Sequence, residues 1–254
     1  MKFRILLVLI LLIKVLYYIP VYPEDKVHPV LTELIDTPMA GSLKQGMFAV
    51  GLRMYPQGGV LSEMSFGLMN RVMASVYYGG ENLIGEGEAN WNPQIGFELR
   101  VRIIEESFLM PAVSLGFINQ GYGGYRENLK RYRYKSKGIY AVVSRNYELL
   151  GNMGFHIGAN KSFEDKDGDK DINLFLGIDK AFPGGLEFLA EYDFAFDDNS
   201  NLSYGKKNGF LNSGMKWSVA GGFSVTFIFR NLADNSKLEK GVEREIRINY
   251  VKPF

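Results

Sequence analysis

The chain has 254 residues, with 29 Lys and Arg against 28 Asp and Glu, a balance that argues against a nucleic-acid binder, which carries a basic excess. It contains no cysteine, which excludes disulfides, thiolate metal sites, cysteine nucleophiles and a cysteine-linked lipid anchor. With 29 Gly, 15 Tyr and 18 Phe, the composition points to an all-β chain with many tight turns.

The first twenty residues, MKFRILLVLILLIKVLYYIP, place Lys2 and Arg4 before an apolar run from Ile5 to Ile13. A basic start followed by an apolar core too short to span a bilayer is the pattern of a secretory signal. Residues 1–22 are assigned to it, with an uncleaved anchor as the competing reading. Residues 23–44 are polar and contain proline, and are expected to be a periplasmic lead-in.

From Gln45 onward, segments of about ten residues alternate apolar and polar side chains and are separated by turn residues, the signature of a transmembrane β-barrel. In chain order the predicted strands cover 47–55, 61–69, 71–78, 94–103, 112–118, 138–147, 153–163, 172–182, 186–196, 211–219, 223–231 and 244–254. In 94–103, Ile95, Phe97, Leu99, Val101 and Ile103 oppose Gly96, Glu98, Arg100 and Arg102. In 223–231, Phe223, Val225, Phe227 and Phe229 oppose Ser224, Thr226 and Arg230. The phase of 138–147 is ambiguous, and 172–182 is apolar on both faces. Short links follow the even-numbered strands and long ones mostly follow the odd-numbered strands. The first hairpin, at PQGG, is the exception. An even strand number, with short turns alternating with long loops, predicts an antiparallel up-and-down transmembrane β-barrel of about 12 strands over residues 45–254.

The apolar faces would then meet lipid, and the polar faces, where glycine is mixed with charge, would line the lumen. That places Arg53, Glu98, Arg100, Arg102, Glu187, Glu191, Asp193, Lys216, Arg230, Glu245 and Arg247 inside. Two roles fit them: ion pairs that stitch the barrel, or a charged pathway. The terminal Phe254, on an alternating last strand, resembles the recognition signal of the barrel assembly machinery, although Pro253 departs from that pattern. The expected location is the outer membrane of a Gram-negative-type bacterium.

Several short segments resemble one family. ELIDTPMAGSLKQGMFAVGLR supplies Asp36, Thr37, Pro38, Met39 and Ala40. SFGLMNRVMASVYYGG supplies Gly67, Leu68 and Arg71, and IIEESFLMPAVSLGF supplies Glu105, Pro111, Ala112 and Gly116. These are similar to YjbH-type outer-membrane proteins linked to exopolysaccharide production. The resemblance implies a non-enzymatic outer-membrane barrel connected with the secretion or assembly of extracellular polysaccharide, or with passive envelope transport. The expected partners are outer-membrane lipid and lipopolysaccharide, with anionic polysaccharide or export-complex proteins beside them, and no cofactor is expected. A structural barrel of a surface secretion or motility complex, and a phospholipase-like barrel, are the alternatives.

Three stretches carry candidate sites. His156 faces the predicted lumen with Asn160. Residue 158 is glycine where a paired serine would stand, so no motif supplies the nucleophile a phospholipase would need, and only a serine elsewhere, such as Ser144 on the neighbouring strand, could do so. A hydrogen-bonded luminal histidine is the plainer reading. The loop from Asn119 to Lys137 interleaves Tyr122, Tyr125, Tyr132 and Tyr134 with Arg126, Lys130, Arg131, Arg133, Lys135 and Lys137. Aromatic faces stack on sugars and basic groups attract anionic polymers or lipopolysaccharide phosphates, so Tyr122, Tyr125, Arg126, Arg131, Tyr132, Arg133 and Lys135 are the candidate polysaccharide contacts. A solvated loop touching lipid headgroups is the plainer reading. Finally, DKDGDKD opens like an EF-hand, with Asp165, Asp167 and Asp169 at the first three ligand positions and Asp171 nearby. It has Lys170 where the motif needs glycine and Leu176 where it needs the closing glutamate. It reads as a loop tip that marks the outer side, with a weak divalent-ion site as its only chemical role.

Overall fold

A computed structural model of the protein describes residues 32–148, 151–219, 222–238 and 240–253. The signal segment, the first part of the lead-in and Phe254 lie outside the described residues.

Twelve long strands close into one antiparallel barrel. In chain order they are β1 (Met47–Tyr55), β2 (Gly59–Met69), β3 (Val72–Glu81), β5 (Gly96–Ile104), β6 (Ala112–Ile118), β9 (Gly138–Glu148), β10 (Asn152–Lys161), β11 (Asn173–Phe182), β12 (Leu186–Asp193), β13 (Phe210–Val219), β14 (Phe223–Arg230) and β15 (Glu243–Pro253). Each pairs with its neighbour in sequence, and β1 closes on β15 from Met47↔Pro253 to Met54↔Ile246. Closure satisfies every strand edge, which is what permits a sheet to cross lipid. Three short strands lie in the loops: β4 (Asn90–Trp91), and the hairpin of β7 (Tyr122–Arg126) with β8 (Arg131–Tyr134).

Polarity is inverted relative to a soluble barrel. The outer wall exposes Leu52, Met64, Leu99, Leu115, Ile157, Leu176, Met215 and Phe227, while Arg53, Glu98, Arg100, Glu191, Arg230 and Glu245 are buried inside. Aromatic pairs mark both rims, Phe48 with Tyr250 at one end and Tyr78 stacked on Trp91 at the other. An apolar band between aromatic girdles is a lipid-facing surface. The two ambiguous strands resolve the same way. β9 turns Tyr140, Val142 and Ser144 inward, and β11 turns Asn173, Phe175 and Asp179 inward, with Leu174 and Leu176 outward.

The short links lie at one end of the barrel, the turn end, and the long ones at the other, the loop end. The short first hairpin belongs to the loop end. Gln57 and Gly58 both take left-handed backbone angles there, a turn suited to the twist of a tight hairpin. The next loop folds over it, with the Leu83 and Ile84 amides donating to the Gly58 carbonyl. A Cβ at residue 58 would lie 2.0 Å from the Ile84 carbonyl oxygen.

The lead-in departs from expectation. Its described part does not hang outside the barrel. Leu34, Ile35, Ala40 and Leu43 are buried inside the lumen. Glu33 and Pro38 bridge as a tight hairpin, and the Leu34 amide donates to the Thr37 carbonyl. The chain then runs to the turn end, where the Lys44 carbonyl passes so close to β2 that a Cβ at Gly67 would sit 2.0 Å from it. An aperiodic polar segment gives no strand signal, and only the lumen around it shows why it is ordered.

Candidate functional site: a filled, charge-lined lumen

The inward residues of the wall include small and charged ones beside larger apolar and aromatic ones such as Tyr77, Tyr140, Val142 and Phe175. Gly51, Ser65, Ser75, Ser114 and Ser224 leave a bore between the strands. The hairpin of residues 33–40 fills it, held by the predicted lumen charges. The Glu191 carboxylate accepts the amides of Ile35 (3.1 Å), Asp36 (2.9 Å) and Thr37 (2.9 Å) and the Thr37 hydroxyl (2.8 Å). Successive N–H groups converging on one carboxylate make a backbone nest. Opposite, the Asp36 carboxylate sits between Arg53 (2.8 Å) and Arg230 (2.5 Å), and Glu245 bridges the same two arginines at 2.6 and 3.0 Å. This ring of two anions and two cations neutralises itself.

Further down, Arg100 donates to the carbonyls of Thr32 (2.5 Å), Met39 (3.1 Å) and Gly41 (2.8 Å). Its other face pairs with Glu98 at 2.6 Å, which also accepts from Tyr77 and Tyr140. Arg102 donates to the carbonyls of Ala40 and Ser42, and Arg247 to those of Leu34 and Ile35 while pairing with Glu33. Lys216 pairs with Glu187 at 3.2 Å and Asp193 with Lys137. Each predicted lumen residue therefore faces inward. The arginines clamp chain carbonyls, a use to which a planar, multi-donor cation is well suited. Leu34, Ile35 and Met39 meet Leu189 and Ile228 in a small apolar patch. A cavity of about 40 Å³ remains beside the hairpin, lined in part by Glu63, Lys216 and Thr226, room for no more than a few waters.

The loop end is closed separately. The basic, tyrosine-rich hairpin β7–β8 does not extend into solvent as the candidate polysaccharide contacts require; it folds into the mouth. Tyr122, Arg131, Tyr132, Arg133 and Lys135 are buried, and only Tyr125 and Arg126 are part-exposed. Arg131 pairs with Asp167 and Asp198, both at 2.6 Å, and Lys135 with Asp167 at 2.9 Å. Arg126 pairs with Glu81 at 2.9 Å, and Tyr134 donates to Glu243 at 2.8 Å. Arg126, Arg131, Arg133 and Lys135 thus meet acids of neighbouring loops and strand ends and are not offered to an external polymer, whereas Lys130 is exposed.

Those acids correct the metal reading as well. Asp167 and Asp169 turn inward, Asp167 to Arg131 and Lys135, and Asp169 to the amides of Asn199 (2.7 Å) and Ser200 (3.0 Å). Asp165 pairs with the exposed Lys170 at 3.5 Å, and Asp171 is exposed. The four carboxylates do not converge, and among the described residues no group of three or more potential ligands gathers. Burial pushes the Asp167 carboxyl up, but Lys135 and Arg131 outweigh it and hold the group below the usual carboxylate range. Burial raises Glu164 to about 7 and Asp197 to about 7, the latter helped by neighbouring Asp193.

His156 has the partners that the sequence left open. Its Nδ1 lies 2.8 Å from Ser144 Oγ on β9 and its Nε2 2.7 Å from Asp179 Oδ1 on β11. These are the contacts of a nucleophile, a base and an orienting acid. Yet Ser144 Oγ also accepts the Ala40 amide at 2.9 Å, so the hairpin covers the atom a substrate must reach. Asn160 stands apart and donates to the Lys137 carbonyl. In this arrangement the three residues anchor the lead-in.

No family model matches the sequence, and no curated protein matches it. Among solved structures the chain is similar to a KdgM porin, at 10% identity and a TM-score of 0.46, covering 82% of this chain and 99% of that one. It is also similar to a NanC porin, at 12% identity and 0.44 over 82% and 99%. A third is an outer membrane channel from Pseudomonas putida F1, at 10% and 0.40 over 89% and 100%. Likenesses this distant leave the function to the chain's own residues.

Proposed function

We propose that the protein is a non-enzymatic outer-membrane β-barrel that gives a polar solute a passive, gated route across the bacterial envelope. One observation carries this reading: the wall leaves a polar bore, and two segments that are not part of the wall fill it. A barrel built only as a scaffold could fill its interior from the strands themselves, as small barrels do. Here the inward Gly51, Ser65, Ser75, Ser114 and Ser224 leave that to the lead-in and the β7–β8 hairpin. An acidic polysaccharide is the solute class that suits the wall, because Arg53, Arg100, Arg230 and Arg247 present planar donors that match carboxylates. The similarity of the DTPMA and neighbouring segments to exopolysaccharide-linked barrels supports the same class.

The test is conductance in a planar bilayer. The intact chain is expected to be mostly closed. A variant with residues 33–43 replaced by a Gly/Ser linker and residues 122–134 shortened to a tight turn is expected to conduct steadily, with current reduced by added polyuronate. If that variant still migrates as a folded, heat-modifiable barrel but carries no current, the conduit reading is wrong. The barrel is then a scaffold, the reading that the many ion pairs of the lumen also allow.

A further inference from the structure

The two closures of the bore touch each other, and the contact is made of the residues that hold each in place. Beside the tip of the lead-in hairpin, at the bridge that closes it, Glu33 accepts a hydrogen bond from the Tyr122 hydroxyl at 2.8 Å. The Tyr122 ring lies under the guanidinium of Arg53 at 4.3 Å and near that of Arg230 at 5.5 Å. Arg230 also covers the Tyr134 ring at 4.2 Å. Both arginines are anchored from the other side by Asp36. So the same two cations grip the lead-in with their charge and the loop hairpin with their faces.

We propose that the lead-in and the β7–β8 hairpin form one coupled double closure, in which the lead-in tip latches the loop end shut. The physical basis is charge balance. With Asp36 in place, two arginines share two carboxylates, Asp36 and Glu245. When the tip leaves, the two buried cations share Glu245 alone, repel one another and turn toward other acceptors. The cation–π contacts to Tyr122 and Tyr134 depend on the present position of those planes. Tyr122 simultaneously loses Glu33. The loop hairpin then keeps its contacts to the neighbouring loops and strand ends, among them Arg126 with Glu81 and Tyr134 with Glu243, but loses its hold on the lead-in, and a movement made at the turn end reaches the loop end. The wall is polar, so water replaces most of the contacts that the lead-in gives up, which makes its withdrawal reversible. This coupling bears on transport only through the conduit reading, but its test does not use current.

The absence of cysteine from the sequence makes that test free of background. A single reporter, Ser136→Cys, is placed in the full chain at a buried position just beyond β8. The chain is inserted in lipid vesicles and treated with a membrane-impermeant maleimide. Labelling is expected to be slow in the parent and at least tenfold faster when Asp36→Asn is added. Tyr122→Phe, which removes only the bond to Glu33, is expected to give a smaller acceleration. A third variant, with residues 33–40 replaced by a Gly/Ser linker, is expected to label fastest. Variants are compared only when they migrate as heat-modifiable barrels, and Tyr122→Phe keeps the lumen charges intact if Asp36→Asn does not fold. Equal rates in the parent and in the linker variant overturn the coupling. Faster labelling without any current in the conductance experiment supports the coupling and sinks the conduit reading.

Discussion

At the scale of single residues, the buried arginines of the lumen follow one rule among the described residues: each has a carboxylate or carbonyl partner, because an unpaired buried charge costs several kcal/mol. Arg100 shows how far the rule reaches, since it satisfies Glu98, Tyr140 and three lead-in carbonyls at once. Arg100→Ala should lower stability by about 3 to 5 kcal/mol, because Glu98 is left buried and unpaired, seen as an earlier midpoint in urea unfolding. Arg100→Lys should recover only part of the loss, since a point charge cannot serve a carboxylate and three carbonyls together. A midpoint for Arg100→Ala within error of the parent would refute this account of the lumen. The inward position of Arg100 was legible in the sequence, from the alternation of residues 95–103. Its partners were not, because Thr32, Met39 and Gly41 belong to a segment with no periodicity. His156 was similar: its face was readable, but its register against Ser144 and Asp179 was not, since nothing local fixes how neighbouring strands align.

At the scale of elements, the strands were the legible part and the loops the misleading one. A period of two over ten residues, with a lipid-facing side, specifies a strand and its orientation together. Segments 138–147 and 172–182 stayed ambiguous because Val142 and Phe175 are apolar residues turned into the barrel. The loop 119–137 looked like a solvated, basic surface, since most charge runs are. Its counter-charges, Asp167 and Asp198, lie in two other loops, and only the closed barrel brings the three together. The loops should respond to pH in a defined direction. Glu164 and Asp197 are raised to about 7 in the folded protein, against roughly 4 when unfolded. Their contribution to loop packing is complete below about pH 4 and is lost as pH rises through 7. Asp167, held low, acts in the opposite sense, and its contribution is lost only below about pH 4. Amide hydrogen exchange in residues 131–136, corrected for intrinsic rate, should therefore be slower at pH 5.5 than at pH 8. Glu164→Gln should remove much of that difference. Exchange slower at pH 8 would contradict the assignment. At the first hairpin, Gly58→Ala meets both a left-handed angle and the Ile84 carbonyl. It should cost about 1 to 3 kcal/mol and loosen the loop after β3, read as faster proteolysis there.

At the scale of the whole molecule, the account rests on inverted polarity: Leu, Phe and Met outside, arginine and glutamate inside. The same alternating sequence could in principle close with its faces exchanged, and a soluble barrel would do so. The ion pairs from Arg53 to Asp36 and Glu245, and the nest around Glu191, exist only with the charges inside. The most direct test is a spin-label scan along β14 in lipid bilayers, one label at a time from Phe223 to Arg230, read by contact with dissolved oxygen and with a polar nickel chelate. Labels at Phe223, Val225, Phe227 and Phe229 should show high oxygen contact and little nickel contact. Labels at Ser224, Thr226, Ile228 and Arg230 should be shielded from oxygen, giving a period of two. The opposite phase, or no period, would contradict the membrane-spanning barrel on which the rest depends.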